Sequence, residues 1–229
     1  MSIADRLTAA RDRITAACER SGRDPAEVEL LPVSKWHPTR AITEAHAAGW
    51  RRFGESRPQE LAAKAQELEP LGLSWVAIGH LQTNKARLVA EHAAEFQALD
   101  SLRLGEALHR RLAALDRRLP VLVEVNTSGE QAKGGFAPAE VVGAVRALRQ
   151  YPTLEVRGLM TLAVRSADTL RVRACFTGLV EVQARLRDVF GDGFSTLSMG
   201  MSEDYELAIG CGSTCVRLGT AVFGSRPDR

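Results

Sequence analysis

The chain has 229 residues, of which 45% are hydrophobic and 25% are charged, as in an ordinary globular protein. Lys and Arg number 30 and Asp and Glu number 28, so the formal net charge is +2 and no block of like charge occurs. This balance argues against nucleic acid or a membrane surface as the main partner. The N-terminal residues are charged every few positions, and no apolar run approaches the ~20 residues of a membrane span, which predicts a cytoplasmic protein.

Cysteine and histidine positions favour neither a metal site nor a disulfide framework. The 4 cysteines include no C-x-x-C pair and the 5 histidines lack metal-ligand spacing, so reduced and mostly buried thiols are expected. Lysine positions are more informative, because arginine stays protonated and cannot act as an amine nucleophile. Among the 30 basic residues the only lysines are Lys35, Lys64, Lys85 and Lys133.

In chain order, hydrophobic periodicity first predicts a helix over residues 3–20, with Ser2 and Asp5 as a capping box. Short apolar strands then alternate with amphipathic helices. Strands are predicted over residues 28–34, 50–54, 73–79, 95–99, 120–126, 154–162, 194–199 and 213–219. Eight such units without a linker favour an α/β fold, a (β/α)8 TIM-type barrel forming a single domain over residues 1–229 with an extra N-terminal helix. An open Rossmann-like sheet is the alternative, weakened because no G-x-G-x-x-G follows the first strand.

The last two predicted strand ends favour a phosphate site, as barrels often place one there. The segment S-M-G-M-S ends in Ser202, directly before Glu203 and Asp204, which predicts a helix N-cap at Ser202. The segment R-L-G-T supplies Gly219 for a close backbone approach and the hydroxyl of Thr220. Each segment alone is more simply a cap or a turn, but on adjacent strand ends they indicate a phosphate cradle.

Lys35 follows the first predicted strand and is expected at the mouth of the barrel. Burial of an amine disfavours its charged form and makes it available for imine formation. A lysine imine, a phosphate cradle and a barrel together suggest pyridoxal 5′-phosphate (PLP) as cofactor. A surface lysine is the ordinary alternative, and a Schiff-base aldolase that acts on a phosphorylated sugar is another.

Seven ordered blocks, from about Val33 to Arg226, resemble the pyridoxal phosphate homeostasis proteins, stand-alone relatives of the alanine racemase N-terminal barrel. They are VSK (ending at residue 35), FGES (56), IGHLQTNK (85), VNTSGEQAKGG (135), GLMTL (162), SMGMSEDYELAI (209) and GSTCVRLGTAVFG (224). The resemblance implies that Lys35 forms an aldimine with PLP and that Arg217 faces the pyridine nitrogen. It further implies phosphate contacts from Ser202, Gly219 and Thr220, with Asn126 and Met160 near the cofactor.

Two departures from the family pattern each put one polar contact near the cofactor in doubt. Ser56 stands where the family usually has Asn, and Val76 stands where it usually has His. Neither departure affects the lysine or the phosphate loops. Lys85 and Lys133, in loops of the predicted mouth, are candidates for a second cofactor-handling lysine, although a solvated loop lysine is the simpler interpretation of each.

Arg217 favours a carrier over an enzyme, because a protonated arginine leaves the pyridine nitrogen unprotonated and the ring a weaker electron sink. Racemisation also needs a second base. Alanine racemases supply a tyrosine from another domain, whereas the tyrosines here are Tyr151, predicted at the wrong end of the barrel, and Tyr205, after S-M-G-M-S. We expect a monomeric protein for PLP homeostasis that holds PLP on Lys35 and supplies or buffers it for apo PLP-dependent enzymes, without substantial turnover. A PLP-dependent amino-acid racemase is the alternative.

Overall fold

The computed structural model describes residues 1–225, in which strands and helices alternate along most of the chain. The strands are β1 (Glu29–Pro32), β2 (Arg52–Glu55), β3 (Ser74–Ala77), β4 (Glu95–Leu99), β5 (Leu119–Glu124), β6 (Leu154–Met160), β7 (Thr196–Ser198) and β8 (Cys215–Leu218). The α-helices are α1 (Ile3–Arg20), α2 (Thr39–Ala47), α3 (Pro58–Glu67), α4 (Ala86–His92), α5 (Leu102–Ala114), α6 (Val141–Leu148), α7 (Thr169–Phe190), α8 (Tyr205–Gly210) and α9 (Thr220–Phe223). Short 3-10 helices lie at Pro25–Glu27, Glu69–Leu71 and Thr83–Lys85.

All eight strands are parallel and form one sheet in the order β1-β8-β7-β6-β5-β4-β3-β2. Its two ends meet at a parallel bridge between Val33 and Gly54, and the Ser34 N–H donates to the Gly54 carbonyl at 2.9 Å. The sheet therefore closes into a barrel with helices around it. This confirms the predicted (β/α)8 fold and excludes the open Rossmann-like sheet. The ends of the predicted domain and of the family resemblance, at Arg229 and Arg226, lie outside the described residues.

The N-terminal helix α1 has the predicted bounds, and its start is fixed by the predicted capping box. The Ser2 hydroxyl accepts from the Asp5 N–H at 3.1 Å, and the Asp5 carboxylate accepts from the Ser2 N–H at 2.8 Å. The helix packs against α2, α8 and α9 on the outside of the barrel. Its buried side chains recur at helical spacing: Ile3, Leu7, Ala10, Ile14, Ala17 and Cys18.

A small apolar cluster of Leu31, Val76 and Cys215, with Ile78 against it, is separate from the main core. It joins side chains of β1, β3 and β8 inside the barrel. Val76 is one of the two departures from the family pattern. It makes apolar contacts here, at the position where the family usually has a polar His. Burial raises the pKa of the Cys215 thiol to about 12, so this thiol stays protonated at ordinary pH.

The part of the chain that the structure describes contains neither a membrane-spanning helix nor a cluster of metal-binding side chains. None of its helices is long and apolar enough to cross a membrane. Within residues 1–225, no three or more His, Cys, Asp and Glu side chains are grouped so that they could hold a metal ion. The cysteines are free, and all but the half-buried Cys211 are buried, as the sequence predicts.

Candidate functional site at the barrel mouth

The strand register brings the predicted site residues to one end of the barrel. At that end Met160 pairs with both Glu124 and Ser198, while Leu31 pairs with Arg217 in the adjacent strands β1 and β8. Because all strands are parallel, the segments that follow them emerge at the same rim. The segment after β1 lies directly beside the segment after β8, since the Val33 N–H donates to the Leu218 carbonyl at 2.8 Å. Lys35 and the R-L-G-T segment of the predicted phosphate cradle thus lie side by side at the rim.

Lys35 lies half-buried in a tight turn between β1 and α2. The turn is closed by the His37 N–H, which donates to the Ser34 carbonyl at 3.0 Å, so Lys35 and Trp36 are its two central residues. Ser34 is fully buried, and His37 stacks on Phe223 of α9 with ring centroids 5.1 Å apart. The backbone on both sides of Lys35 is therefore packed against the barrel.

Lys64 of α3 also reaches this turn, which the sequence analysis did not predict. Its side chain is buried, and its ammonium group donates to the Ser34 carbonyl at 2.8 Å and to Glu55 Oε2 at 2.7 Å. The Glu55 carboxylate, at the end of β2, accepts from the Ser56 N–H at 2.8 Å. Burial raises the pKa of Glu55, and the Lys64 ammonium opposes that shift. Three of the four lysines were expected at the mouth, and the fourth contacts it from a helix.

Arg217 of β8 is buried inside the barrel. Its guanidinium donates to Ser198 Oγ at 2.6 Å and to the Thr161 carbonyl at 3.0 Å, which are both neutral oxygens. Desolvation lowers the pKa of this arginine, so the protein surrounds a cation that it does not fully compensate. A hydrogen-bond acceptor at the mouth would find the Arg217 guanidinium already oriented by Ser198 and by the Thr161 carbonyl.

Below Arg217 a chain of hydrogen bonds runs through the barrel interior. The Ser198 hydroxyl donates to Gln97 Oε1 at 2.7 Å, and Gln97 Nε2 donates to Glu95 Oε1 at 2.7 Å. Glu95 in turn accepts from Arg52 at 2.7 Å. Each of these side chains has a partner on both sides, which fixes their rotamers. Ser198 is consequently an unpredicted residue of the site, because it orients Arg217.

The segment after β7 departs from the predicted helix cap at Ser202. Helix α8 begins at Tyr205, and Ser202 lies in the preceding turn, so the N-cap prediction is wrong. The physical reason is Asp204, whose carboxylate accepts from the Met201 N–H at 2.6 Å and closes an extra turn before the helix. Gly200 has a φ of +96°, and a Cβ there would lie 2.7 Å from the Ala208 Cβ. Glycine is required at this position.

Gly219 and Thr220 lie where β8 passes into α9, with Gly219 just before the helix and Thr220 exposed at its first position. The N–H groups of Val222 and Phe223 donate to the Gly219 carbonyl at 3.0 and 2.9 Å and close the first turn of α9. These two residues and Ser202 belong to the segments that follow the adjacent strands β8 and β7. Their contact with a phosphate stays a prediction.

Met160 ends β6 and is buried at the mouth, whereas Asn126 is used by its own loop. Asn126 Nδ2 donates to the Glu130 carbonyl at 2.9 Å and to the Lys133 carbonyl at 3.3 Å. Lys133 bonds the Ala163 carbonyl at 2.9 Å and pairs with Glu130, so the interpretation of Lys133 as a solvated loop lysine is wrong. It joins the loops that follow β5 and β6. A cofactor contact of Asn126 or Met160 stays a prediction.

A second group of titratable residues at the rim was missed by the sequence analysis. His80 Nδ1 lies 2.8 Å from Asp100 Oδ2, and Glu124 is buried nearby. Burial raises the pKa of Glu124, the negative charge of Asp100 raises it further, and Arg217 opposes the shift. A sequence signal was present, since Glu124 ends β5 and His80 and Asp100 follow β3 and β4, but no role was predicted for these residues.

The two tyrosines do not offer a second base at the mouth. Tyr151 lies just before β6, at the opposite end of the barrel, and stacks on His109 with centroids 5.0 Å apart. Tyr205 is buried in α8, and its ring lies under Arg13 of α1 at 5.7 Å. Its ring therefore packs toward the outer helix layer.

Comparison with known proteins identifies the family. A family model described as alanine racemase, N-terminal domain, matches residues 6–227. A Pseudomonas aeruginosa protein named pyridoxal phosphate homeostasis protein is 43% identical over 228 residues, covering 98% of this chain and 96% of that protein. Its namesake from Escherichia coli K12 is 42% identical over 227 residues, with 98% and 97% covered. The chain belongs to the pyridoxal phosphate homeostasis protein family.

Solved structures agree with this assignment. PipY of Synechococcus elongatus, solved with PLP bound, has a TM-score of 0.85 and 37% identity, covering 97% of this chain and 100% of that one. An alanine racemase of Clostridium difficile has a TM-score of 0.74 at 16% identity, covering 98% of this chain but only 58% of the racemase. The racemase shares the fold alone. The family resemblance drawn from the seven sequence blocks is confirmed.

Proposed function

We propose that this chain is a PLP-binding protein of PLP homeostasis, and that it holds the cofactor through Lys35 at the barrel mouth. The observation that carries the proposal is the placement of the half-buried Lys35 turn directly beside the segment after β8, with the buried Arg217 in that strand. The relatives named for PLP homeostasis and the PLP-bound structure of PipY support it.

The residues present fit the cofactor. PLP brings a reactive aldehyde, a pyridine ring and a dianionic phosphate. Lys35 is the amine for the aldehyde, and Arg217, whose guanidinium is oriented by Ser198 and Thr161, is the donor for the ring nitrogen. Gly200 keeps the segment after β7 close to α8, because any larger residue would collide with Ala208. Ser202, Gly219 and Thr220 then supply hydroxyl and backbone N–H groups for the phosphate.

We further propose that the protein carries and buffers PLP without substantial catalysis. Arg217 places a guanidinium cation beside the ring nitrogen, which disfavours the protonated ring that carbanion chemistry needs. The ring of Tyr205 lies under Arg13 of α1, so it supports no role as an opposing base. Release of PLP to apo-enzymes, a monomeric state and a cytoplasmic location are parts of the same proposal.

The test is an absorbance spectrum of the purified protein before and after borohydride reduction, with mass mapping of the modified peptide. We expect a yellow protein in which reduction fixes one pyridoxyl group on the peptide that contains Lys35. Lys35→Ala should remove that modification and keep the fold, while PLP still binds reversibly. A colourless protein that stays unmodified after incubation with PLP would refute the proposal. Steady turnover of an amino acid at an ordinary enzymic rate would refute its non-catalytic part.

A further inference from the structure

Helix α3 contacts the backbone on both sides of Lys35. Lys64 donates to the Ser34 carbonyl at 2.8 Å, and Glu60 Oε1 accepts from the Trp36 N–H at 2.8 Å. Ser34 and Trp36 are the residues immediately before and after Lys35. One acceptor and one donor of the turn are thus bound by two side chains that are one helical turn apart on α3.

The two side chains that bind the turn are also bound to each other. The Lys64 ammonium lies 2.7 Å from Glu60 Oε1 and 2.7 Å from Glu55 Oε2. The exposed fractions of the side chains are 6% for Lys64, 0% for Glu55 and 21% for Glu60, so the network is shielded from water. Hydrogen bonds between charged groups are strong and directional in such surroundings. The network is therefore a rigid support for the turn.

The turn needs support because its backbone is strained at Trp36. This residue has a φ of +70°, in the left-handed region that glycine adopts easily and a bulky residue rarely adopts. Arg57 covers the indole ring, with its guanidinium carbon 3.6 Å from the ring centroid. A strained residue persists only where its surroundings hold it, and here the N–H of Trp36 itself donates to the Glu60 carboxylate.

We propose that Glu60 and Lys64 are positioning residues that hold the Lys35 turn in its strained conformation and thereby set how fast PLP attaches to Lys35. This inference rests on the proposed function, and it assigns a task to a helix outside the predicted site. Without the network the turn would relax at Trp36, and the direction in which the Lys35 side chain leaves the backbone would change. A carrier must attach and release its cargo, so the orientation of this amine determines both rates.

The first experiment measures the rate of PLP attachment by rapid-mixing absorbance, with borohydride trapping at Lys35 as the readout of position. Glu60→Ala should slow attachment about tenfold, the fold-change expected for the loss of one charge-assisted hydrogen bond. Glu60→Gln keeps an acceptor for the Trp36 N–H and should fall between Glu60→Ala and the unchanged protein. Glu67→Gln is the matched control, because Glu67 is an exposed acid of the same helix that accepts from Thr39 Oγ1 at 2.6 Å instead of from the Lys35 turn.

The second experiment follows hydrogen exchange of the Trp36 backbone amide in the PLP-free protein. Glu60→Ala should lose protection at this amide about tenfold, while the amides of the barrel strands stay protected. Unchanged attachment and unchanged exchange in folded Glu60→Ala would overturn the proposal. If the unchanged protein protects Trp36 but attaches no PLP at Lys35, the proposed function fails while the hydrogen-bonded support stands. The control for folding is the thermal transition of each variant.

Discussion

The Lys35 turn and the segments after β7 and β8 are neighbours at the mouth of the barrel, but they are held in place by different forces. The Lys35 turn is fixed by buried charges, since Lys64 joins the Ser34 carbonyl to the carboxylates of Glu55 and Glu60. The segment after β7 is fixed by backbone geometry, with Gly200 in the left-handed region and the Asp204 carboxylate on the Met201 N–H.

This difference suits the two tasks we propose for these regions. A covalent anchor must present one amine in one direction, and a network of charge-assisted bonds fixes direction well. A phosphate is bound by several backbone N–H groups at once, and a chain path that only glycine allows brings such groups close together. The two regions should consequently fail in different ways when they are altered.

The largest effect is expected from Lys64→Met, which removes the ammonium that the carboxylates of Glu55 and Glu60 share and leaves no cation between them. Breaking a buried ion pair from one side typically costs about 3–5 kcal/mol of the free energy of unfolding. Urea denaturation measures this change. The matched control is Lys85→Met, a half-buried lysine at the rim that should cost far less. If Lys64→Met lowers the free energy of unfolding no more than Lys85→Met does, Lys64 is not the centre of a buried charge network.

Gly200→Ala comes next and acts on the other region. The added Cβ would lie 2.7 Å from the Ala208 Cβ and 2.9 Å from the Tyr205 Cα, at a φ of +96°. Strain and overpacking together should lower the free energy of unfolding by about 2–3 kcal/mol. PLP should then dissociate faster from the reversible complex.

Gly22→Ala separates the two causes, because Gly22 has a φ of +65° with nothing within 4 Å of an added Cβ. In Gly22→Ala the free energy of unfolding should fall by only about 1 kcal/mol, which is the cost of the backbone conformation alone. Equal losses at Gly22 and Gly200 would show that the contact with α8 carries no energy.

The sequence predicted the barrel because its signals are local and repeated. Most of the predicted strands are short and rich in apolar residues, and the eight of them alternate with amphipathic helices. Lys35, Arg217 and Met160 could be placed at strand ends for the same reason. Their roles toward PLP came from the family resemblance and not from the pattern.

Lys64 was missed because a lysine four residues after a glutamate on a helix is usually part of an exposed ion pair. A signal was nevertheless present. Lys64 falls three residues after Leu61 and four before Leu68, both buried, so it occupies the apolar stripe of α3. The helix cap at Ser202 failed for a different reason, since the pattern could not show that Asp204 would bond the Met201 N–H and delay the helix.

Arg217→Met should affect PLP binding more than it affects the stability of the fold. The substitution removes a cation that burial disfavours, which offsets the loss of its bonds to Ser198 and Thr161. The free energy of unfolding should therefore change by only about 1 kcal/mol. PLP affinity should fall about tenfold, as for the loss of one charge-assisted hydrogen bond. Isothermal titration and urea denaturation measure the two quantities, and a stability loss as large as that of Lys64→Met would contradict this difference.

The smallest effect is expected from Glu124→Gln, and its sign is the test. Burial and the charge of Asp100 raise the pKa of Glu124 above its ordinary value of 4.5 in the folded state, while Arg217 opposes the shift. A folded state with the higher pKa binds the proton more tightly than the unfolded chain, so its stability falls as pH rises through the interval between the two values. Glutamine stays neutral and removes that loss. The variant should match the unchanged protein below pH 4.5 and be the more stable one near neutrality. Urea denaturation at both pH values shows the sign, with His80→Gln as the control for the neighbouring imidazole. A variant that is less stable near neutrality would show that the Glu124 carboxylate stabilises the Arg217 cation. Ion pairs would then stabilise the region around Arg217 as well as the Lys35 turn.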